Sequence, residues 1–187
     1  MYDIIGDIHG HAEELKSLLV KMDYSAIDGV WQHPTRKAIF VGDLIDRGPA
    51  IREVLHIVKN MVDNDRALVV MGNHEYNAIA YAHEVQPGEF LRSHNETHTR
   101  QHSATMEQFA YYQEEWQDWL KWFYQLPLYL DLGDIRVVHA CWDQEHIDWL
   151  SKNTGGRLTT DLLVDAHNKS SRAHTVIEET LKGVEMN

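Results

Sequence analysis

Short apolar runs that stop abruptly at glycine and a polar cluster recur along most of this chain. Tyr2–Ile5 runs into Gly6-Asp7-Ile8-His9-Gly10, and Ala38–Val41 into Gly42-Asp43-Leu44-Ile45-Asp46-Arg47-Gly48. Leu68–Met71 runs into Gly72-Asn73-His74-Glu75, and Arg136–Val138 into His139. Runs of this length bounded by Gly and Asp predict buried strands entering tight loops. Between them the period changes. Leu15, Leu18, Leu19 and Met22 recur at helical spacing within Ala12–Met22. Ile51, Val54, Leu55, Val58 and Val62 do so after Pro49, a residue suited to the first turn of a helix. The opening third therefore reads β-α-β-α-β, the signature of a parallel sheet with helices packed on it.

The remainder is more helical. Tyr24–Thr35 reads as a loop or hairpin broken at Gly29 and Pro34. From His74 to about Gln125 the pattern is helical, loop-like around Pro87-Gly88, then helical again. Phe109, Tyr112, Trp116, Trp119, Leu120 and Phe123 fall on one helical stripe, which reads as core packing. Leu128–Leu132 and Ile135–Val138 read as a hairpin around Gly133-Asp134, followed by helical pieces near His146–Lys152, Thr159–Asn168 and Ser171–Lys182. His94, His98 and His102 recur every fourth residue. Their neighbours Ser93, Asn95, Thr97 and Thr99 are poor helix formers, so residues 86–125 read as a helical and polar insertion, solvated rather than metal-binding.

Composition narrows the setting. The chain has 187 residues, room for one domain with a substantial core. No apolar run approaches the roughly 20 residues of a membrane span, and no export signal is visible at the N-terminus. The one cysteine, Cys141, rules out an internal disulfide and fits a reducing compartment, so the expected location is cytoplasmic. Its neighbours Trp142-Asp143-Gln144 offer no phosphate-cradling loop for thiol catalysis. A net charge of −12 disfavours general nucleic-acid binding and anionic membranes. It does not exclude a phosphate substrate, because bound cations invert the field locally.

The chemistry lies in the loops. C-terminal loops of parallel strands converge on one crevice. Asp7, His9, Asp43, Asn73 and His139 would meet there as a mixed oxygen and nitrogen set suited to two divalent transition metals. Each residue alone reads more simply as a turn Asp or a capped loop. All of them at strand ends, in order, point to a hydrolase site.

These four motifs, Gly-Asp-Ile-His-Gly, Gly-Asp-Leu-Ile-Asp-Arg-Gly, Gly-Asn-His-Glu and Val-His-Ala, resemble those of the calcineurin-like metallophosphoesterases. The likeness is to the branch of serine/threonine protein phosphatases and bacterial diadenosine tetraphosphatases. It spans Tyr2 to about Asp143. The resemblance implies an α+β (α/β-type) fold, the four-layer αββα metallophosphoesterase sandwich. It implies one metal on Asp7, His9 and Asp43 and a second on Asp43, Asn73 and His139, with Asp43 bridging. The ions would be Mn, with Fe, Zn, Ni or Co as alternatives, and would share an activated water. Arg47 and Asn73 would contact the substrate phosphate, His74 would protonate the leaving oxygen, and Asp46 would orient His74. Glu75 stays open between a supporting role and a helix-start acid. The implied partners are a phosphorylated small molecule, a dinucleoside polyphosphate or a phosphoprotein.

The pattern departs from the family at its end. A Gly-His loop downstream of Val-His-Ala is missing, as are the last strands of the double sheet. The expectation is a single domain, 1–187, that is C-terminally incomplete, with weakened metal binding and exposed sheet that invites self-association. A non-catalytic phosphatase-like scaffold is the competing reading.

Overall fold

Three short runs form the parallel sheet that carries the site: β1 (Tyr2–Ile5), β4 (Lys37–Phe40) and β5 (Ala67–Val69), in the order β1-β4-β5. Tyr2 pairs with Lys37 and Ile5 with Phe40, while Ala38 pairs with Ala67 and Phe40 with Val69. This register brings the three C-terminal ends level, so the loops after them leave on one side. The description comes from a computed structural model and covers residues 1–184.

The elements between strands are α1 (Ala12–Lys21), a hairpin of β2 (Ser25–Ile27) and β3 (Val30–Gln32), α2 (Ile51–Asp63) and α3 (Asn73–Ala82). Strand alternation divides the sheet into two faces. Ala38 and Phe40 join the main core with Leu55, Val58 and Met61 of α2 and Leu15 and Leu19 of α1. Ile39 and Val70 face the other way, against Val137, Leu130 and Ile135. Those three belong to, or immediately flank, the antiparallel hairpin of β8 (Tyr129–Asp131) and β9 (Arg136–Val138). Helices on one face and a second small sheet on the other make an α/β sandwich, as expected.

The middle segment differs in detail from the sequence pattern. The turn at Pro87-Gly88 is a small hairpin of β6 (Glu84–Gln86) and β7 (Glu89–Phe90). The aromatic stripe belongs to two helices, α4 (Glu96–Phe109) and α5 (Gln113–Gln125), because the chain breaks its helix at residues 110–112. Tyr112 lies in that break and is 46% exposed, whereas Phe109, Trp116, Trp119, Leu120 and Phe123 are buried. The weak helix formers before α4 serve as its start, since Asn95 caps it by accepting the His98 N–H at 2.8 Å. Three helices end the chain: α6 (Gln144–Thr154), α7 (Thr160–Ala166) and α8 (Arg172–Lys182). None of the helices is long and apolar enough to cross a membrane.

Candidate metal and phosphate site

Backbone bonds knit the first two loops together. Ile8 and His9 both donate to the Asp43 carbonyl, at 3.1 and 2.9 Å, and Gly10 donates to Leu44 at 2.9 Å. Gly48 returns a bond to His9 at 2.8 Å. The loop containing Asp43 also touches that containing Asn73. Gly42 has φ +93°, and a Cβ there would overlap the backbone of Gly72, so these two strand ends approach as closely as glycine allows. His9, Asp43, Asp46 and Arg47 have φ of +45°, +52°, +68° and +66°, left-handed conformations that are costly for side-chain-bearing residues. Four such residues on two facing loops concentrate backbone strain around one point.

Glu75 holds the arrangement. Its side chain is fully buried, and it accepts the N–H groups of Asp43 at 2.9 Å, Leu44 at 2.8 Å and Gly72 at 3.0 Å. The bond to Gly72 is the reach-back half of a capping box at the start of α3. Burial and the Asp43 charge push Glu75 up to about 7, against the pull of those three donors. The two readings left open for Glu75 are therefore both present: it begins a helix, and it supports the Asp43 loop.

Asp43 is the centre of the donor set. Its Oδ1 accepts the His74 N–H at 3.0 Å. Its Oδ2 lies 3.6 Å from His9 Nε2, 3.6 Å from His139 Nε2 and 3.9 Å from His74 Nε2. Two triads of potential ligand atoms meet the spacing for a cation, His9–Asp43–His74 and Asp7–Asp43–His139, and Asp43 belongs to both. Asp7 stands at the rim, with 52% of its side chain exposed, 3.9 Å from His9 Nε2. The Asn73 side-chain oxygen is 3.0 Å from His139 Nε2. All five residues expected to hold metal thus converge, and His74 comes within the same distance range.

The imidazoles are oriented for coordination. His9 Nδ1–H donates to the Ile45 carbonyl at 2.8 Å, and His139 Nδ1–H donates to the Val41 carbonyl at 2.6 Å. Each ring so held presents Nε2 to Asp43. His9 Nε2 is buried and has no hydrogen-bond partner among the described residues. Burial lowers the His9 pKa, which favours the neutral ring that a metal requires. A buried nitrogen without a partner beside a shared carboxylate fits a divalent cation.

His74 and Asp46, the residues expected to act as an acid and its orienting carboxylate, are in contact. Asp46 Oδ2 accepts from His74 Nδ1–H at 2.5 Å. Burial by itself would lower the His74 pKa, but that bond and the charge of Asp43 outweigh it and raise the value above the ordinary. Arg47 lines the same cleft as Asn73 and His74 and is exposed to it.

The polar-insertion reading needs correction at His102. This residue is 6% exposed, and its Nδ1–H donates to Asp46 Oδ1 at 2.7 Å. Thr105 donates to the same oxygen at 2.6 Å and accepts the Asp46 N–H at 3.1 Å. Gln108 donates to Gly48 at 3.0 Å and accepts from Ile51 N–H at 2.7 Å. Helix α4 therefore clamps the Asp43–Gly48 loop. His94, outside the helix, stacks between Tyr81 and Phe90 with centroids 3.8 and 4.0 Å away. The signal was present as the spacing of His98, His102, Thr105 and Phe109, one helical face that mixes polar and apolar residues.

A sequence model described as calcineurin-like phosphoesterase matches residues 2–182. The chain belongs to the calcineurin-like phosphoesterase family. It is 33% identical over 140 residues to the bis(5'-nucleosyl)-tetraphosphatase PrpE of Oceanobacillus iheyensis, covering 74% of this chain and 54% of that protein. It is 46% identical over 74 residues to the PrpE of Halalkalibacterium halodurans, covering 39% of this chain and 30% of that one. The chain thus spans about half the length of the first of these relatives. Among solved structures, a cold-active protein-tyrosine phosphatase of a psychrophilic Shewanella shares the fold, with TM-score 0.56 and 22% identity over 97% of this chain and 54% of that one.

Proposed function

We propose that this chain is a metal-dependent phosphoric ester or anhydride hydrolase whose substrate is a dinucleoside polyphosphate. The observation that carries the reading is Asp43, whose Oδ2 lies 3.6 Å from both His9 Nε2 and His139 Nε2, with the His74–Asp46 pair beside it. Asp7, His9, Asp43, Asn73 and His139 would hold two divalent ions. When bound, these supply Lewis-acid polarisation of the phosphoryl group and a nucleophile at neutral pH. Mn fits the oxygen and imidazole donors, as do Fe, Zn, Ni and Co.

The protein's own groups supply the rest. Arg47, charged at any working pH and shaped as a planar fork, binds non-bridging phosphoryl oxygens, with Asn73 alongside. Water adds to phosphorus and releases one proton to solvent as the bond to the leaving oxygen breaks; His74 Nε2–H passes its proton to that oxygen and is reprotonated from solvent. Asp46 keeps the Nδ1 proton in place and so fixes which nitrogen faces the substrate. Relatives named as tetraphosphatases support the choice of an anhydride over a phosphoprotein. Asp46, Arg47 and His74 count against a non-catalytic scaffold, and the missing Gly-His downstream of Val-His-Ala counts for one.

The test compares diadenosine tetraphosphate, a phosphoserine peptide and an aryl phosphate as substrates of the purified protein, with and without Mn. The expected result is Mn-dependent cleavage of the tetraphosphate at the highest kcat/KM. A preference for the peptide would replace the substrate assignment. No hydrolysis by a protein that binds Mn would favour the scaffold.

A further inference from the structure

The cleft beside the Asp43 centre, about 520 Å³, extends well past the acid pair and is lined there by cations. Arg47, Arg92 and Arg100 all line it, together with Asp46, Asn73 and His74. A chain of net charge −12 thus gathers three guanidinium groups into one concavity. Elsewhere, Arg36, Arg52, Arg136 and Arg172 each face a carboxylate, at 2.7, 2.7, 3.3 and 3.9 Å, while Arg66 and Arg157 have no such partner among the described residues. The three in the cleft form no ion pair among the described residues. Lys182 also reaches the cleft, but Glu178 compensates its charge at 2.6 and 2.7 Å.

Arg92 is the informative member. It is half-buried, and two neutral amides hold its guanidinium: Nη1 donates to Asn77 at 3.0 Å and Nη2 to Gln101 at 2.8 Å. Its backbone N–H donates to the Ala80 carbonyl at 3.0 Å, which fixes the base of the side chain. Amide partners orient a guanidinium without neutralising it, and three of its five N–H donors remain available. Asn77 follows His74 by three residues on α3, and Gln101 precedes His102 on α4, so both clamps grow from the elements that carry the acid pair. Asp46 and Glu178 act on Arg92 only from beyond contact; withdrawing an arginine from water without a direct ion pair is unfavourable, and an incoming anion offsets that cost.

We propose that Arg92, assisted by Arg100, forms a second phosphate subsite next to the reacting one, so that the cleft selects polyphosphate chains over monophosphates. The inference deepens the hydrolytic reading, since it identifies what distinguishes an anhydride substrate at that same site. Burial also lowers the Arg92 pKa from its ordinary value, in keeping with a cation that lacks a partner.

Because neither arginine is a metal ligand, the subsite is testable without metal or turnover. Inorganic tripolyphosphate and orthophosphate are titrated calorimetrically into metal-depleted protein at low ionic strength. The expected preference for tripolyphosphate is about tenfold or more. Arg92→Met should abolish that preference and leave orthophosphate affinity unchanged. Arg92 also bridges α3 and α4, so Arg100→Ala, at an exposed position, serves as a second variant and should reduce the preference about threefold. Equal losses for both anions, or an unchanged preference in both variants, would overturn the subsite. Hydrolysis of diadenosine tetraphosphate with no such preference would overturn the subsite and leave the hydrolytic reading intact. A preference that follows Arg92 in a protein without hydrolysis would do the reverse.

Discussion

Asp46 accepts the Nδ1–H of His74 at 2.5 Å, in a pocket where both side chains are largely withdrawn from water. The bond leaves His74 Nε2 pointing towards Asp43 and the cleft, the direction from which a leaving oxygen would need a proton. Replacing His74 by Asn should lower kcat by about 10²- to 10⁴-fold, the ordinary worth of a positioned general acid. Bound metal, measured by elemental analysis, should stay unchanged. Loss of one ion with the imidazole would instead make His74 a ligand, as its 3.9 Å separation from Asp43 permits.

His102 and Thr105 act on the same carboxylate from the opposite side. Without them Asp46 is buried with unmet acceptor capacity and is free to turn. His102→Ala and Thr105→Val should each reduce kcat about 10- to 100-fold with little change in KM, the usual cost of losing an outer hydrogen-bond partner. A shifted acid limb of the kcat–pH profile would mark the effect as acting through Asp46. A fall in thermal stability with kcat unchanged would show that the two residues only hold α4 in place.

Asp43 and Asp7 should be distinguishable by metal count. Asp43 belongs to both donor triads and Asp7 to one. Asp43→Asn should therefore abolish binding of both ions in a calorimetric Mn titration, while Asp7→Asn should weaken one site and spare the other. Equal effects would contradict the shared-carboxylate geometry.

Gly72 admits no side chain. A Cβ there would overlap Asp43 Oδ1, the Asp43 nitrogen and Glu75 Oε2. Gly72→Ala should destabilise the fold by about 1–3 kcal/mol, as overpacking usually does, and should also disturb Asp43. Urea denaturation checks the first effect and Mn affinity the second. An alanine tolerated in both would mean that the loops separate more readily than their bonding suggests.

The Asp46 carboxyl also gives a prediction about acid. Burial would raise its pKa, but hydrogen bonds from His102, His74 and Thr105 outweigh that and hold it well below the usual carboxylate range. A depressed folded-state value contributes stability at pH above the unfolded value of about 4, and loses it as pH falls further. Asp46→Asn should therefore flatten the acid side of a stability–pH curve measured on metal-free protein. An identical acid limb in variant and parent would remove Asp46 as its source.

What the sequence by itself determined were the strand ends and the donors placed on them. Gly6-Asp7-Ile8-His9, Gly42-Asp43, Gly72-Asn73-His74 and Val138-His139 are local objects: an apolar run, a turn, a ligand. Parallel pairing of β1, β4 and β5, with their ends level, then brings most of them together. Asp46 and Arg47 were legible for the same reason, being a few residues from Asp43.

Only the tertiary structure decided what holds those groups. Asp46 meets His102 at a sequence separation of 56 and Thr105 at 59. Polar residues on α4 have the composition of a solvated surface, and nothing local separates a histidine facing water from one facing a buried carboxylate. Arg92 is a similar case, since its meaning comes from having amides rather than carboxylates in direct contact, with Asp46 and Glu178 acting on it only from farther away. Side-chain identity is written in the chain, but its dielectric surroundings arise from distant segments packing together.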